Sequence, residues 1–376
     1  MLDINASMQR SAGEPFKALY PILKSAGLVN VLSIHELAGG LSNHNYKITT
    51  PTGSYVLRVN ADAADSFCNR QQERFYWQQL AQAKLAPELL WVSEDERYYL
   101  SDFIESDFIE SDYIESDDLE NEVLIHWPAL ERQTSAADFV LGQSTFNYLQ
   151  YPAAEQETHP NQAHCLLLAL LLQLRDLPTG PYAISITEQW QEYHQQMLAY
   201  QASATFSEPV LRRPVPLKQG SDIGDSNTHD WNERVAKLLA IQIEIKHWCD
   251  ELAACIIKPQ FCHRDLNPHN LLLKSNRLCC IDFEYATASH PLCELAVVLA
   301  THALTPYQQS VLVKQYLSGH PYVTAQAVTA VPAAIDMYWV FACYWALLMA
   351  AQTEPSRSAD YLAWFDCFWP LITQES

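Results

Sequence analysis

The sequence predicts an α+β protein: a small antiparallel-sheet N-terminal lobe with one helix, then a larger, mainly helical C-terminal lobe. Three observations carry that expectation. Residues 30–104 alternate short β-branched and aromatic runs with turn residues. Beyond residue 160, apolar residues recur at helical spacing over long stretches. Between the two lies an acidic repeat, SDFIE, SDFIE, SDYIE, SDD, over residues 101–118. The expected organisation is an N-terminal lobe over 1–104, an acidic insert over 105–122 and a helical lobe over 123–376, with a ligand cleft between lobes.

Taken in order, VLSIHEL (31–37) and NYKITT (45–50) read as strands around an AGG turn, and SYVLRVN (54–60) continues the meander. NRQQERFYWQQLAQA (69–83) has the period of a helix, with Phe75 and Leu80 on its apolar side. LAPELLWVS and RYYLSDFI supply two more strands. HCLLLALLLQL (164–174) is a strongly apolar helix that must stop before Pro178 and Gly180. ITEQWQEYHQQMLAYQ (186–201) and the run 232–256 read as amphipathic helices, separated by a Pro-, Ser- and Gly-rich loop over 203–228. NLLLK and RLCCIDF are short strands, the second ending in Asp282, and helices complete the chain.

Composition narrows the partners. A formal charge of −21 disfavours nucleic acid and anionic membrane, both of which need clustered Lys and Arg. About half of that excess is local, because residues 101–122 hold ten acidic side chains and no basic one. No basic start followed by an apolar stretch opens the chain, and the apolar run 337–351 is short for a membrane span and rich in aromatics. Ten cysteines without paired spacing suit reduced thiols. A cytoplasmic protein is the expectation.

The chemistry concentrates in FCHRDLNPHNLLLKSNRLCCIDFEY (261–285). His263, Asp265 and Asn270 form H-x-D-x4-N, followed by strand, turn and a strand leading to Asp282. Phosphoryl transfer calls for these residue types in this order. One aspartate accepts or orients the attacking hydroxyl. An asparagine on the same loop and a carboxylate on the neighbouring strand clamp Mg2+ over the phosphates of ATP.

These motifs resemble those of the protein-kinase-like phosphotransferases, most closely the choline/ethanolamine kinase, thiamine kinase and aminoglycoside phosphotransferase group. FCHRDLNPHNLL is similar to that group's catalytic loop, and IDFEYA to the choline and thiamine kinase metal motif. The resemblance implies a two-lobed protein-kinase-like fold, ATP and Mg2+ as cofactors, and catalytic roles for Asp265 and His263. It implies metal contacts from Asn270, Asp282 and Glu284. LAGGLSNHNYKI resembles the phosphate-covering hairpin, which implicates Gly39, Gly40, Ser42 and Asn43, and Arg58 stands where a basic residue reaches the phosphates, with Glu73 as its ion-pair partner. The absence of GxGxxG, VAIK, DFG and APE disfavours a protein kinase. Glu294 replaces the Asp that is usual in aminoglycoside enzymes, and Glu284 is foreign to their motif.

The resemblance also places the hinge that binds adenine at RYYLSDFIE, with Asp102 and Ile104, so that the first pentad is the hinge and the later copies an expansion at the cleft rim. The expected acceptor is a small, cationic alcohol of thiamine or choline/ethanolamine type. Trp345 and Tyr344, on an aromatic-rich helix, would face the cation, with Glu284 nearby. The alternatives are an aminoglycoside or other small-molecule kinase, or a catalytically quiet protein that binds nucleotide or a partner through the acidic insert.

Overall fold

Alternation of apolar and polar residues gives the N-terminal strands two unlike faces, and the strand register shows where each face goes. The computed structural model describes residues 14–37, 43–60, 68–106, 163–205, 223–353 and 355–373. Strands β1 (Ser33–Leu37), β2 (His44–Thr50), β3 (Gly53–Val59), β4 (Leu89–Val92) and β5 (Tyr98–Asp102) form one sheet in the order β1-β2-β3-β5-β4, antiparallel where they pair. Leu57 stands opposite Leu100, and with Ile48 they share one face. That face packs on Leu19, Leu23 and Val31, brought in by two short helices, α1 (Glu14–Lys17) and α2 (Tyr20–Ser25). The sequence reading allowed one helix in this region. A four- and a six-residue helix are too short to show a periodic stripe.

The opposite face carries the polar residues. Asn45 pairs with Arg58, which pairs with Tyr99. Helix α3 (Arg70–Gln82) begins at Asn69, whose side chain accepts from the Gln72 amide at 3.1 Å, a regular N-cap. Its buried stripe is Arg70, Glu73, Tyr76, Trp77 and Leu80. Two charged residues therefore sit in the first turn of a stripe that is otherwise apolar.

The chain divides into two compact units. One comprises Met1–Thr134, Thr158–Leu170 and Asp265–Ala286; the other comprises Ser135–Glu157, Leu171–Arg264 and Thr287–Ser376. The first thus gathers the N-terminal sheet, α3 and the hairpin of β7 (Leu271–Lys274) and β8 (Arg277–Cys280). Ser275 and Asn276 turn that hairpin with φ of 49° and 59°, the signature of a two-residue type I′ turn. Strand β8 ends at Cys280, earlier than the expected end at Asp282. Asp282 instead lies two residues past it, with φ of 65°.

The second unit is mainly helical. Helix α4 (Ala163–Arg175) leads towards it and α5 (Ile186–Thr205) lies in it, close to expectation. The single helix expected over 232–256 is two, α6 (Ile223–Ala240) and α7 (Gln242–Cys255). The break falls at Ile241, with ψ of 24°, where the Gln242 side chain donates to the Leu238 carbonyl at 2.9 Å and ends the first helix. Residues 223–228, expected in a loop, are helical, and 206–222 lie outside the described residues. Strands β6 (Gln260–Cys262) and β9 (Thr287–Ser289) pair antiparallel. Only β6 and β9 lack a sequence signal of their own among these strands, being three residues long and buried on both faces.

Helices α8 (Leu292–Thr301), α9 (Pro306–Leu317), α10 (Val331–Gln352) and α11 (Pro355–Phe368) complete the unit. Among the described residues α10 is the one helix long and apolar enough to cross a membrane, and 78% of its apolar window is buried within the protein, as a core helix would be.

Leu57 is fully buried at the centre of the sheet's apolar face. Leu57→Ala is expected to lower unfolding free energy by about 2–5 kcal/mol, measured by urea denaturation.

Candidate active site

The residues of H-x-D-x4-N and of the strand-end motif fold into a short, strained stretch. Arg264 has φ of 71°, a conformation that a long side chain rarely adopts, and Asp282 has φ of 65°. Both outliers flank the loop that carries the expected chemistry, as strain at functional sites commonly does. Arg264 is held there by Glu294 of α8, whose Oε1 accepts the Arg264 backbone N–H at 2.6 Å. Glu294 is fully buried, as is His263.

Asp265 is oriented by its own loop. Asn267 Nδ2 donates to Oδ1 at 2.8 Å, and Asn270 Nδ2 donates to Oδ2 at 2.7 Å and to the Asp265 carbonyl at 3.0 Å. Burial pushes the Asp265 carboxyl up to about 6; the two amide donors pull it down, and the nearby Glu284 charge pushes it up again. At pH 7 the group is ionised, acceptor-only and aimed by two fixed donors.

A charged network occupies the face of the sheet opposite the apolar core. Arg58 Nε donates to Asn60 Oδ1 at 2.8 Å, and its Nη2 pairs with Glu73 Oε1. Its Nη1 lies 3.8 Å from Asp282 Oδ1, and the guanidinium carbon lies 5.0 Å from the Tyr99 ring centroid. The Arg58–Glu73 pair expected from sequence is present, and buried. Arg70, which the sequence reading did not single out, places Nη1 3.0 Å from Glu73 Oε2 and 3.2 Å from Glu284 Oε1. Asn43 Nδ2 donates to the same Glu284 oxygen at 2.8 Å. Its only sequence signal is a basic residue one helical turn before Glu73, a spacing common on solvated helices.

Glu284, the expected metal and substrate contact, also serves the network of buried charges. It is buried, and its Oε1 accepts from Asn43 and Arg70, joining the end of the β1–β2 turn to α3. Asp282 differs. Its side chain is partly exposed, no hydrogen-bond donor reaches Oδ1, and its pKa stands well above the ordinary carboxylate value. The causes are burial first, then the Glu284 charge, against which Arg58 acts.

Such a carboxylate gains from a cation. With both Asn270 Nδ2 bonds directed at Asp265, the Asn270 amide oxygen and the Asp282 carboxylate form an oxygen-only set that fits Mg2+. A second group, Cys68, Glu73 and Glu284, also has its ligand atoms within 4.8 Å of one another. There Arg58 and Arg70 already supply the positive charge.

Other expected residues divide. Gly39, Gly40 and Ser42 lie outside the described residues, as do pentad copies two and three from 107 onward. Asp102 ends β5, with its amide donating to the Glu88 carbonyl at 3.0 Å, and Ile104 follows in extended chain. Ser106, the first residue of the second copy, then accepts from the Leu273 amide at 3.0 Å and donates to the Leu273 carbonyl at 3.2 Å, which ties the chain just after the first pentad to β7.

On α10, Tyr344 is fully buried, and its hydroxyl is 3.0 Å from His194 Nδ1 and 3.1 Å from Gln242 Nε2. It is a core residue, a correction to the expected pocket wall. Trp345 meets Tyr361 edge to face at 5.6 Å and stays partly exposed. Trp339 stacks on Phe368 at 5.7 Å. The aromatic residues of this helix point to several neighbours, so they do not form one face.

Glu294→Ala removes the acceptor of a buried backbone donor and frees a strained loop. It is expected to cost about 1–3 kcal/mol of stability by thermal unfolding, with a loss of phosphoryl transfer beyond what the unfolded fraction explains.

A choline/ethanolamine kinase family protein from Mesorhizobium loti is similar over 96% of this chain and 93% of that one, with TM-score 0.52 and 17% identity. An ethanolamine kinase from Plasmodium vivax gives TM-score 0.54 at 13% identity, over 98% of this chain and 91% of that one. A spectinomycin phosphotransferase, solved with ADP and spectinomycin, gives TM-score 0.52 at 10% identity, over 93% of each chain. At such identities the likeness concerns the fold, which is that of the protein-kinase-like phosphotransferases. No curated protein matches the chain in sequence. The family model described as "Phosphotransferase enzyme family" matches residues 33–325, well over half of the chain, and the protein belongs to that family.

Proposed function

We propose that the protein transfers the γ-phosphoryl group of ATP to the hydroxyl of a small cationic alcohol of choline, ethanolamine or thiamine type. The observation that carries this reading is Asp265: an ionised carboxylate, fixed by Asn267 and Asn270, on a loop whose next carboxylate, Asp282, is left for a cation. Mg2+, when bound, supplies charge neutralisation at the phosphates.

The chain's own residues do the rest. Asp265 accepts a hydrogen bond from the acceptor hydroxyl, aims its oxygen and takes its proton as the bond to phosphorus forms. Asp282 and the Asn270 amide oxygen hold the metal. Arg58, locked by Glu73 and Asn60, presents a fixed positive charge towards the nucleotide phosphates. Arginine suits this better than lysine would in such a site, because its planar fork engages Asn60 and Glu73 together. Asp102 and Ile104, at the end of β5, would form the adenine hinge, and Trp345 would contribute to acceptor binding. The catalytically quiet alternative is disfavoured by the intact Asp265, Asn270 and Asp282 set. An aminoglycoside acceptor is a test outcome in the same screen.

The reading is checked by an ADP-release and phosphorylated-product assay with Mg-ATP against choline, ethanolamine, thiamine and aminoglycosides. Asp265→Asn is expected to lower kcat by about 10²–10⁴-fold with Mg-ATP affinity retained, measured by single-turnover kinetics and calorimetry. Because the Asp265 pKa is raised to about 6 and only its ionised form accepts a proton, wild-type kcat/KM should fall below about pH 6. Asp282→Asn should shift the Mg2+ dependence of the rate to higher concentration by at least tenfold, since a charged ligand to a hard cation becomes neutral.

A further inference from the structure

Arg70 occupies a position with two electrostatic costs. It is the first residue of α3, where a cation opposes the helix dipole by about 0.3–1 kcal/mol, and it is buried. A buried charge persists only where partners repay its desolvation. The partners here are two carboxylates from distant parts of the sequence: Glu73 Oε2 at 3.0 Å and Glu284 Oε1 at 3.2 Å, both on Nη1.

What those contacts do follows from the charges. Glu73 has two oxygens, one taken by Arg58 and the other by Arg70, with the Cys68 thiol 3.6 Å from the second. Glu73 is thereby held at both ends, and Arg58 with it. Arg58 also has an outlet, since Asp282 Oδ1 lies 3.8 Å from its Nη1. Were Glu73 to swing, Arg58 could close on Asp282 and occupy the carboxylate assigned to the metal. Arg70 also neutralises Glu284, which otherwise adds its charge to the field that Asp282 feels.

We propose that Arg70 is a positioning residue for nucleotide and metal: it clamps Glu73 and Glu284 so that Arg58 stays aimed at the phosphates and does not close from 3.8 Å to hydrogen-bond contact with Asp282. This rests on the functional reading above and extends it to a residue that touches neither substrate nor metal.

The experiment measures Mg-ATP binding by calorimetry, at a temperature well below unfolding, for wild type, Arg70→Met and Arg70→Lys, with melting temperatures recorded without nucleotide. Arg70→Met is expected to raise the Kd at least tenfold in folded protein. Arg70→Lys, whose ammonium ends on a shorter stem than the one that brings Nη1 between the two carboxylates, should fall between it and wild type. A purely structural role would lower the melting temperature of both variants and leave the Kd of the folded fraction unchanged, and that result overturns the proposal. If Arg70→Met does not fold, Arg70→Lys decides alone: a Kd at least threefold above wild type supports the clamp, and a wild-type Kd overturns it. Wild-type protein that binds no Mg-ATP overturns the functional reading and this inference with it, whereas binding by wild type with equal binding by both variants overturns the inference alone.

Discussion

Buried charge in a low-dielectric setting has to be compensated locally, and in this protein that requirement ties the site together. Arg58, Glu73, Arg70 and Glu284 alternate in sign along one chain of contacts, two of them on α3, one on β3 and one just past β8. Taken singly, each would be expelled from the interior or neutralised. Taken together, they link three segments, one of them more than two hundred residues from the others, and they leave one carboxylate, Asp282, incompletely compensated. Two cations, Arg58 and Arg70, thus stand against three carboxylates, Glu73, Glu284 and Asp282, on this side of the sheet.

The sheet makes this possible by being two-faced. Leu57 and Arg58 are neighbours on β3, yet one fills an apolar core against α2 and the other enters the charged network. A one-residue slip in the register would exchange them, placing a guanidinium among leucines. The register is pinned on both sides, by β2 and by β5. The same pairing sets Tyr99 beneath the Arg58 guanidinium, so the cation rests on an aromatic ring as well as on its carboxylate.

The catalytic loop is fixed by different means. Its donors are local: Asn267 and Asn270 lie within five residues of Asp265, so the loop orients its own carboxylate without long-range help. The strained Arg264 that precedes it depends on a distant partner, Glu294, thirty residues on. Local amides give aim, and the remote carboxylate holds the backbone in a conformation it would otherwise leave.

Much of this was legible in the sequence. H-x-D-x4-N followed by a hairpin and IDFEY marked the chemistry because the spacing is short and the donors act within one loop. The Arg58–Glu73 pair was readable from the resemblance, which places a basic strand residue and its carboxylate partner on the next helix at these positions. The sheet, α3 and the buried α10 followed from periodicities of two and 3.6. What the sequence could not decide was where side chains from separate segments meet. Glu284 read as a metal or substrate contact from the resemblance of IDFEYA; only the fold shows that its oxygen also accepts from Asn43 and Arg70. Tyr344 read as a pocket residue because aromatics crowd α10, and only packing shows its hydroxyl enclosed by His194 and Gln242. Arg70 carried only a weak signal, its spacing from Glu73. A charge three residues from another is the common pattern of a solvated helix, and its burial between two carboxylates is decided by tertiary structure, because one of those carboxylates lies more than two hundred residues away.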